Sequence, residues 1–532
     1  MNVYFFGMLL AMAVFMGIGL YISRRVRNAE DFYVAGRRAP VLLIAGSVIA
    51  SYIGTGLFMG EVGEVYDGLF VPILIDAVMA ATGYIVGSVY FGRYLRRSES
   101  MTIPQYFGKR FCSEKLHTLA AVTAVITMTV YLLSVMQGIG TLMSTVTGLN
   151  YNLCMILAWV VLTAITVMAG SRGVLITDTL MATVFTLALV VGAFAISGRL
   201  GGWYPALRAV AADPELRDLL SWSGRLGYLY GTGGENFAWG IVYGIVWMSV
   251  LMVAPWQASR YQMAKNESVV VRSGIWAAFG VFWVYILAYL PSIMLHLAKP
   301  EVASSSQVMI WAAMNMMPTV LGVILLVGVL SAGISSATTF LSLVGASVAN
   351  DIVKAEGKRS ITAGRLAMIG AAVIVLLLAV FNPPSIFWIV YMGSSIIASA
   401  WMPVALASVL SKRVTRTGAF CGMLTGFTVC FAMKLYVNLS GVTLPVWLDP
   451  GLAGIVLNLL AMTVGSALTR VSPEEEAMRK ALHVLPESEK DPAERKKTLR
   501  TAKWGCLLGV FMAAMLVILW VIPYYQGLRG AG

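Results

Sequence analysis

The stretch GVLSAGISSATTFLSLVG, residues 328–345, places several hydroxyl side chains inside an otherwise apolar segment. Four of them fall within about one helical turn, namely Ser335, Ser336, Thr338 and Thr339. Each hydroxyl needs a hydrogen-bond partner once it is removed from water. Ser and Thr in membrane helices commonly bond to their own backbone or allow two helices to pack closely. Four hydroxyls around one turn exceed that need and indicate a candidate site.

The chain as a whole has the composition of a membrane protein. Of its 532 residues 59% are hydrophobic and 12% are charged, whereas soluble domains have about 45–50% and about 25%. Apolar runs longer than about 18 residues, enough to span a bilayer as a helix, recur from end to end. In lipid only helices and closed barrels satisfy every backbone group, and these runs are too long and too evenly apolar for barrel strands. The sequence therefore predicts an all-α polytopic membrane protein embedded in the lipid bilayer.

Hydropathy predicts about fourteen transmembrane helices. They cover residues 3–23, 40–60, 68–92, 118–147, 152–170, 174–197, 236–256, 273–298, 317–346, 362–382, 384–409, 417–438, 447–469 and 504–523. The spans within 40–197 and within 236–409 form two sets of five that start on opposite sides of the membrane. This arrangement is typical of an inverted repeat.

The net charge of +13 lies in alternate loops. Basic residues follow the first, third, ninth and eleventh spans, namely Arg24, Arg25, Arg27, Arg37, Arg38, Arg96, Arg97, Lys109, Arg110, Lys115, Lys354, Lys358, Arg359, Lys412, Arg413 and Arg416. The positive-inside rule makes these loops cytoplasmic and, with fourteen spans, places both termini outside. The basic charge therefore reflects topology, and no nucleic-acid partner is predicted.

Enzyme chemistry is not predicted. The five cysteines are odd in number and scattered over spans and their edges, so neither a disulfide framework nor a metal cluster is expected. We identify no nucleophile, catalytic residue, cofactor-binding motif or phosphate-binding loop.

Five motifs occur in a recognisable order. They are DFYVAGRR (31–38), ASYIGTGLFMGEVGEVYDGL (50–69), MTIPQYFGKRF (101–111), GSRGVLITDTL (170–180) and SAGISSATTFLSL (331–343). In this order the motifs resemble the sodium/solute symporter family, which includes bacterial carriers of proline, sialic acid and galactose, over roughly residues 28–415.

The resemblance implies a fold and a coupling ion. It implies one transmembrane transporter domain with a LeuT-like core of five plus five helices at 40–409, an extra N-terminal helix at 1–39 and additional C-terminal helices at 410–532. The expected coupling ion is sodium, and the expected location is the bacterial inner membrane, with a monomer compatible with this architecture.

The resemblance also implies a sodium site between the broken first core helix and the eighth. Carried over residue by residue, its ligands are the backbone carbonyls of Ala50, Ile53 and Ala332 and the hydroxyls of Ser335 and Ser336. Sodium is a hard cation that takes oxygen ligands, and an unwound helix frees carbonyls to supply them. Gly54 and Gly56 lie where the break is needed, because glycine tolerates non-helical dihedral angles.

Asp178, in LITDTL, is a carboxylate inside a membrane helix and needs a cation or a proton. The nearest fixed cation in sequence is Arg172, about 9 Å away along the helix. One hypothesis is a second sodium site built from Asp178, Ser335, Thr338 and Thr339. The other is that Asp178 only hydrogen-bonds the threonines and shapes the inner exit.

The predicted solute site centres on Asp76 in the third span. The resemblance places this residue where a polar side chain of the second core helix reaches the substrate. We find no Lys or Arg in the middle of the ten core spans. Asp76 therefore accepts hydrogen bonds from a neutral polyol-like solute, or pairs with an ammonium group, or is protonated and structural.

Other residues complete the expected site. The candidate solute contacts are Tyr52 and Gly54 at the break and Trp247 in the sixth core helix. The two aromatic rings either stack on a sugar or face a cation, or they only pack between helices. Glu61 and Glu64 are expected at the outer mouth.

The predicted function is sodium-coupled symport, the import of a small polar organic solute (sugar or polyol, amino acid or amine) by alternating access. The third core helix lacks an arginine, which disfavours sialic acid. Val250 and Leu251 stand where galactose carriers have aromatic residues, which disfavours galactose. The alternative is a transporter-derived membrane sensor or scaffold without net transport.

Overall fold

A computed structural model describes residues 3–23, 34–381 and 385–530. Within these ranges the chain is helical apart from short connections, and a single isolated bridge pairs Ala39 with Ala264. The prediction of an all-α protein is therefore confirmed. The basic residues Arg24, Arg25 and Arg27, which contributed to the predicted topology, lie outside the described residues.

The α-helices are numbered here in chain order. They are α1 (Val3–Ser23), α2 (Val41–Tyr52), α3 (Val62–Glu64), α4 (Phe70–Gly87), α5 (Arg93–Arg97), α6 (Ile103–Phe111), α7 (Glu114–Thr147), α8 (Tyr151–Arg199), α9 (Trp203–Ala212), α10 (Gly233–Val253), α11 (Pro255–Met263), α12 (Glu267–Met294), α13 (Val308–Asn315), α14 (Thr319–Ala346), α15 (Gly357–Phe381), α16 (Ile386–Leu410), α17 (Arg416–Ser440), α18 (Pro450–Ala467), α19 (Pro473–His483), α20 (Pro492–Leu516) and α21 (Ile522–Gly530). Segments of π-helix extend several of them, at Gly56–Glu61, Val65–Leu69, Ser88–Gly92, Ser347–Ile352 and Val517–Val521.

The predicted spans correspond to helices of the structure. In the described part of the chain, eleven helices are long and apolar enough to cross a membrane. Three shorter apolar stretches, Val3–Val14, Val41–Tyr52 and Tyr151–Ala164, fall on the remaining predicted spans. Each of the approximately fourteen predicted transmembrane segments thus corresponds to an apolar helical stretch of the structure.

The structure shows no turn between the fifth and sixth predicted spans. Two spans, 152–170 and 174–197, were expected with a turn between them, but the backbone of α8 is helical over all 49 residues. The segment GSRG at 170–173 contains no proline, and each of its two glycines costs a helix only about 1 kcal/mol. The sequence there lacks a strong helix-terminating signal.

Two helices are broken at corresponding places in the two sets of five. α2 ends at Tyr52, Ile53 is extended (φ −72°, ψ 90°), and helix resumes at Thr55. α10 ends at Val253, Ala254 is non-helical (φ −59°, ψ 140°), and α11 begins at once with Pro255, where proline is well tolerated because the first helical N–H needs no acceptor. A broken first helix in each repeat is typical of inverted-repeat transporters.

The first broken helix lies in the middle of the bundle. α2 packs against α8, α11, α12 and α14, whereas α10 packs against α4 and α16. The residues at both breaks are buried, and Ile53 and Ala254 have no exposed surface. The fold therefore brings two interrupted helices and the hydroxyl-rich α14 together in the interior.

Candidate functional site

The break in α2 faces the hydroxyl-rich turn of α14. A Cβ atom placed on Gly54 would lie 3.0 Å from Ser336 Oγ, which is tighter than ordinary van der Waals contact. Neither Gly54 nor Gly56 has a positive φ. Backbone freedom was the expected reason for both glycines, but the structure gives a different reason for Gly54. A side chain at position 54 would meet the Ser336 hydroxyl, which would then have to move by a few tenths of an ångström.

The five residues predicted to bind sodium are all buried, and the helices that carry them, α2 and α14, are in contact. They are Ala50, Ile53, Ala332, Ser335 and Ser336. A helix leaves the carbonyls of its last turn without intrahelical partners, and Ala50 lies in the last turn of α2. Buried carbonyl and hydroxyl oxygens of this kind suit a dehydrated monovalent cation. The donor set around the break therefore fits sodium.

Asp178 has a counter-ion that sequence reasoning missed. Arg260 Nη2 lies 3.1 Å from Asp178 Oδ2, and the two side chains are 3% and 0% exposed. The carboxylate also accepts hydrogen bonds from Ser47 Oγ (2.7 Å) and Ser335 Oγ (2.6 Å). The expectation that the core contains no fixed cation for this aspartate is wrong, because α11 continues the broken helix into the interior.

This ion pair weighs against the second sodium site. Arg260 Nη2 also donates to Thr339 Oγ1 at 2.7 Å, and Thr338 Oγ1 donates to the carbonyl of Ser335 at 3.0 Å. A guanidinium thus already neutralises the carboxylate that a second sodium ion was expected to need. The second site stays a prediction, and the structure supplies a different partner for Asp178.

Ser335 links the ion pair to the predicted sodium site. Its hydroxyl hydrogen points to Asp178 Oδ1. A hydroxyl oxygen that donates its hydrogen retains lone pairs that can accept or coordinate. Asp178, which is paired with Arg260, therefore orients the hydroxyl of a predicted sodium ligand without occupying its lone pairs.

Asp76 lies beside the break, where Tyr52 contacts it, and is fully buried. Its Oδ2 accepts hydrogen bonds from Tyr285 Oη (2.5 Å) and Tyr52 Oη (3.2 Å), and those two hydroxyls also contact each other. The ring of Trp247 meets Tyr52 edge-on with centroids 5.5 Å apart. The structure thus brings Asp76, Tyr52 and Trp247 together and adds Tyr285.

Glu61 is not at the outer mouth, contrary to expectation. It is 2% exposed and accepts hydrogen bonds from Tyr289 Oη (2.5 Å) and Tyr243 Oη (3.2 Å). Glu64 is only partly buried and accepts a hydrogen bond from Tyr228 Oη at 2.8 Å. Glu61 therefore belongs to the interior site, whereas Glu64 stays near the surface.

A cavity of about 590 Å³ opens above this site. Its wall includes Gly60, Glu64, Thr141 and Phe387. The ring of Phe387 stacks on that of Tyr243, with centroids 5.7 Å apart and planes 23° apart. Because Tyr243 also contacts Glu61, Phe387 and Tyr243 together separate the cavity from the buried carboxylates. We call this cavity the vestibule.

The sequence did contain signals for the missed residues. Tyr285 and Tyr289 are four apart on α12 and so share one face of the helix. Arg260 follows an Ala-Pro pair inside an apolar run, which is a break signal. The predicted span ends close to this break, so it includes neither the helix that continues beyond the break nor the arginine on it.

Broken helices in an inverted repeat, with buried oxygen atoms at the breaks, are typical of membrane transporters that bind their cargo near the bilayer midplane. A family model described as "Sodium:solute symporter family" matches residues 32–426. The chain belongs to the sodium:solute symporter family, whose coupling ion is sodium.

Curated relatives are similar over most of their length. The osmoregulated proline transporter OpuE of Bacillus subtilis is 24% identical over 508 residues, covering 88% of this chain and 94% of the relative. The sodium/proline symporter of Haemophilus influenzae is 26% identical over 462 residues, covering 81% and 87%. The fold is that of a Na+-coupled sialic acid symporter solved in a substrate-bound outward-open state, with a TM-score of 0.73 at 15% identity and coverage of 89% and 99%.

Proposed function

We propose that this protein is a sodium-coupled symporter that imports a small organic solute by alternating access. Sodium binds at the α2 break through the carbonyls of Ala50, Ile53 and Ala332 and the hydroxyls of Ser335 and Ser336. The solute binds next to it, against Asp76, Tyr52 and Trp247. Support comes from family membership and from the buried oxygen atoms described above.

The vestibule is the solute's entry from outside. The basic residues Arg96, Arg97, Lys109 and Arg110 lie before the start of α7, and the positive-inside rule assigns this end of the bundle to the cytoplasm. The vestibule is lined by Thr141 near the opposite end of α7. A solute that passes Phe387 reaches Glu61 and Asp76.

Coupling follows from shared structure. The two candidate sites lie on nearby residues of the α2 break, because Tyr52 contacts Asp76 while Gly54 lies against Ser336 of α14. A sodium ion that fixes the geometry of the break also fixes Tyr52. Sodium therefore raises solute affinity, and the solute raises sodium affinity by the same factor.

The observation that carries this proposal is the contact of the α2 break with the Ser336 hydroxyl. The test is the thermal stability of the purified protein in NaCl and in KCl at equal ionic strength. A ligand stabilises the state that binds it, so the melting temperature is expected to rise with sodium and not with potassium. Equal melting temperatures in the two salts over a wide concentration range would remove the sodium site.

A further inference from the structure

We propose that the solute is an organic cation whose ammonium N–H groups bind between Asp76 and Glu61. This inference rests on the proposed function for the position of the solute site. It adds the charge and the hydrogen-bonding character of the solute, and it assigns Glu61 as a second carboxylate of that site.

The two carboxylates are bonded to neighbouring tyrosines. Tyr285 donates to Asp76 and Tyr289 donates to Glu61, each at 2.5 Å. The two tyrosines are four residues apart on α12, a rise of about 6 Å, and their ring centroids are 5.1 Å apart. The two carboxylates therefore accept hydrogen bonds from neighbouring tyrosines of one helix, and the proposal places one small molecule against both.

A fixed cation for this pair is lacking in the described part of the chain. The salt bridges found at residues 34–381 and 385–530 include neither Asp76 nor Glu61. By contrast, Asp178 is equally buried and is paired with Arg260. An unpaired buried carboxylate takes up either a proton or a cation, and we assign the positive charge that complements this pair to a mobile ligand.

One oxygen atom of Asp76 has its hydrogen-bonding capacity unused. Oδ2 accepts from two tyrosines, whereas Oδ1 is buried and has no hydrogen-bond partner among the described residues. An ionised carboxylate only accepts hydrogen bonds. The missing partner is a donor, which a primary or secondary ammonium group provides and a quaternary one does not.

Aromatic rings enclose the carboxylates. Tyr52 lies 5.7 Å from Tyr285 between ring centroids, and Trp247 lies 6.2 Å from Tyr243. Aromatic faces attract cations, but they offer no positive charge to the carboxylate of a zwitterion. A neutral polyol would leave both carboxylates without a counter-ion. A cation is thus the class of solute that this site complements best.

The experiment uses three probes that share a five-membered ring, together with a polyol. Pyrrolidine is a cation with N–H groups, N,N-dimethylpyrrolidinium is a cation without them, L-proline is a zwitterion, and galactitol is neutral. The full-length protein is melted in NaCl at increasing concentrations of each probe. Pyrrolidine is expected to stabilise it at a half-saturating concentration about tenfold or more below those of the other probes, because charge-assisted hydrogen bonds are worth about this much.

Variants test the assigned residues. Glu61→Gln and Asp76→Asn are each expected to raise the half-saturating pyrrolidine concentration about tenfold or more, while stabilisation by sodium is retained. Asp351→Asn is the matched control, since Asp351 is also buried but is bonded to His117 and Thr102 elsewhere. That variant is expected to bind pyrrolidine as the unmodified protein does.

Several results would overturn the inference. They are tighter binding of L-proline or galactitol than of pyrrolidine, equal binding of the dimethyl probe, no stabilisation by pyrrolidine at any soluble concentration, and unchanged pyrrolidine binding in Glu61→Gln. Failure of the proposed function is distinguishable, because sodium would then fail to stabilise the protein whichever probe is present.

Discussion

Arg260 and Asp178 form an ion pair, 3.1 Å between Nη2 and Oδ2, that joins the second half of one broken helix to α8. Arg260 Nε also donates to Ser47 of α2 at 3.1 Å, and Nη2 reaches Thr339 of α14. The pair therefore ties four core helices together on the far side of the sodium site from the vestibule. Opening that side of the bundle requires these contacts to separate.

Arg260→Gln is expected to destabilise the protein by about 3–5 kcal/mol, because it leaves a buried carboxylate without its counter-ion. Chemical denaturation in detergent measures the loss. The double variant Asp178→Asn with Arg260→Gln removes both charges and is expected to recover part of it. Lys480→Ala, which breaks the exposed pair with Glu476, is the control without measurable effect. A double variant less stable than Arg260→Gln would contradict this account of the pair.

Gly54→Ala is expected to weaken sodium binding. The added methyl group would lie 3.0 Å from Ser336 Oγ, and overpacking of this kind costs about 1–3 kcal/mol, which corresponds to about fivefold or more in the half-saturating sodium concentration. The sodium dependence of the melting temperature reports it. Gly370→Ala is the control, since nothing lies within 4 Å of its added Cβ. Equal sodium dependence in the two variants would place the ion elsewhere.

Ser336→Ala removes a proposed hydroxyl ligand of sodium and is expected to raise the half-saturating sodium concentration about tenfold or more. Sodium-dependent thermal shift measures this. Ser331→Ala is matched to it, because Ser331 is buried on the same helix but donates to the carbonyl of Val327 at 2.6 Å. If Ser331→Ala raised the half-saturating sodium concentration as much as Ser336→Ala does, the effect would be one of losing any hydroxyl from α14.

Phe387→Ala is expected to open the floor of the vestibule. A maleimide reagent should label Tyr243→Cys only when Phe387 is also truncated, because the ring of Phe387 stacks directly on Tyr243. Ser304→Cys is the positive control, since Ser304 is exposed at the cavity wall. Labelling of Tyr243→Cys at the same rate with Phe387 intact would exclude Phe387 as a barrier.

The sequence predicts those features that depend on local pattern. Long apolar runs define the spans, and clustered hydroxyls on α14 with glycines at 54 and 56 indicate where an interior site lies. Asp76 is recognisable because a carboxylate within a span is costly and therefore functional. These signals need no knowledge of which helices are neighbours.

Other features depend on tertiary contacts. Arg260 falls outside the predicted span 236–256 because the apolar run ends near the break, although the buried helix α11 continues to Met263. Glu61 was placed at the mouth because its tyrosine partners lie on α10 and α12, more than 180 residues away. Helix propensity alone does not decide whether the chain turns at GSRG or continues as a helix. The sequence therefore does not predict the continuous helix α8.

The most direct test of sodium coupling is tracer uptake into proteoliposomes, with labelled pyrrolidine and labelled L-proline as parallel probes. We predict accumulation of at least one probe above its external concentration under an inward sodium gradient, no accumulation under an equal potassium gradient, and a large loss in Ser336→Ala but not in Ser331→Ala. Accumulation that is equal in the two gradients would contradict sodium coupling.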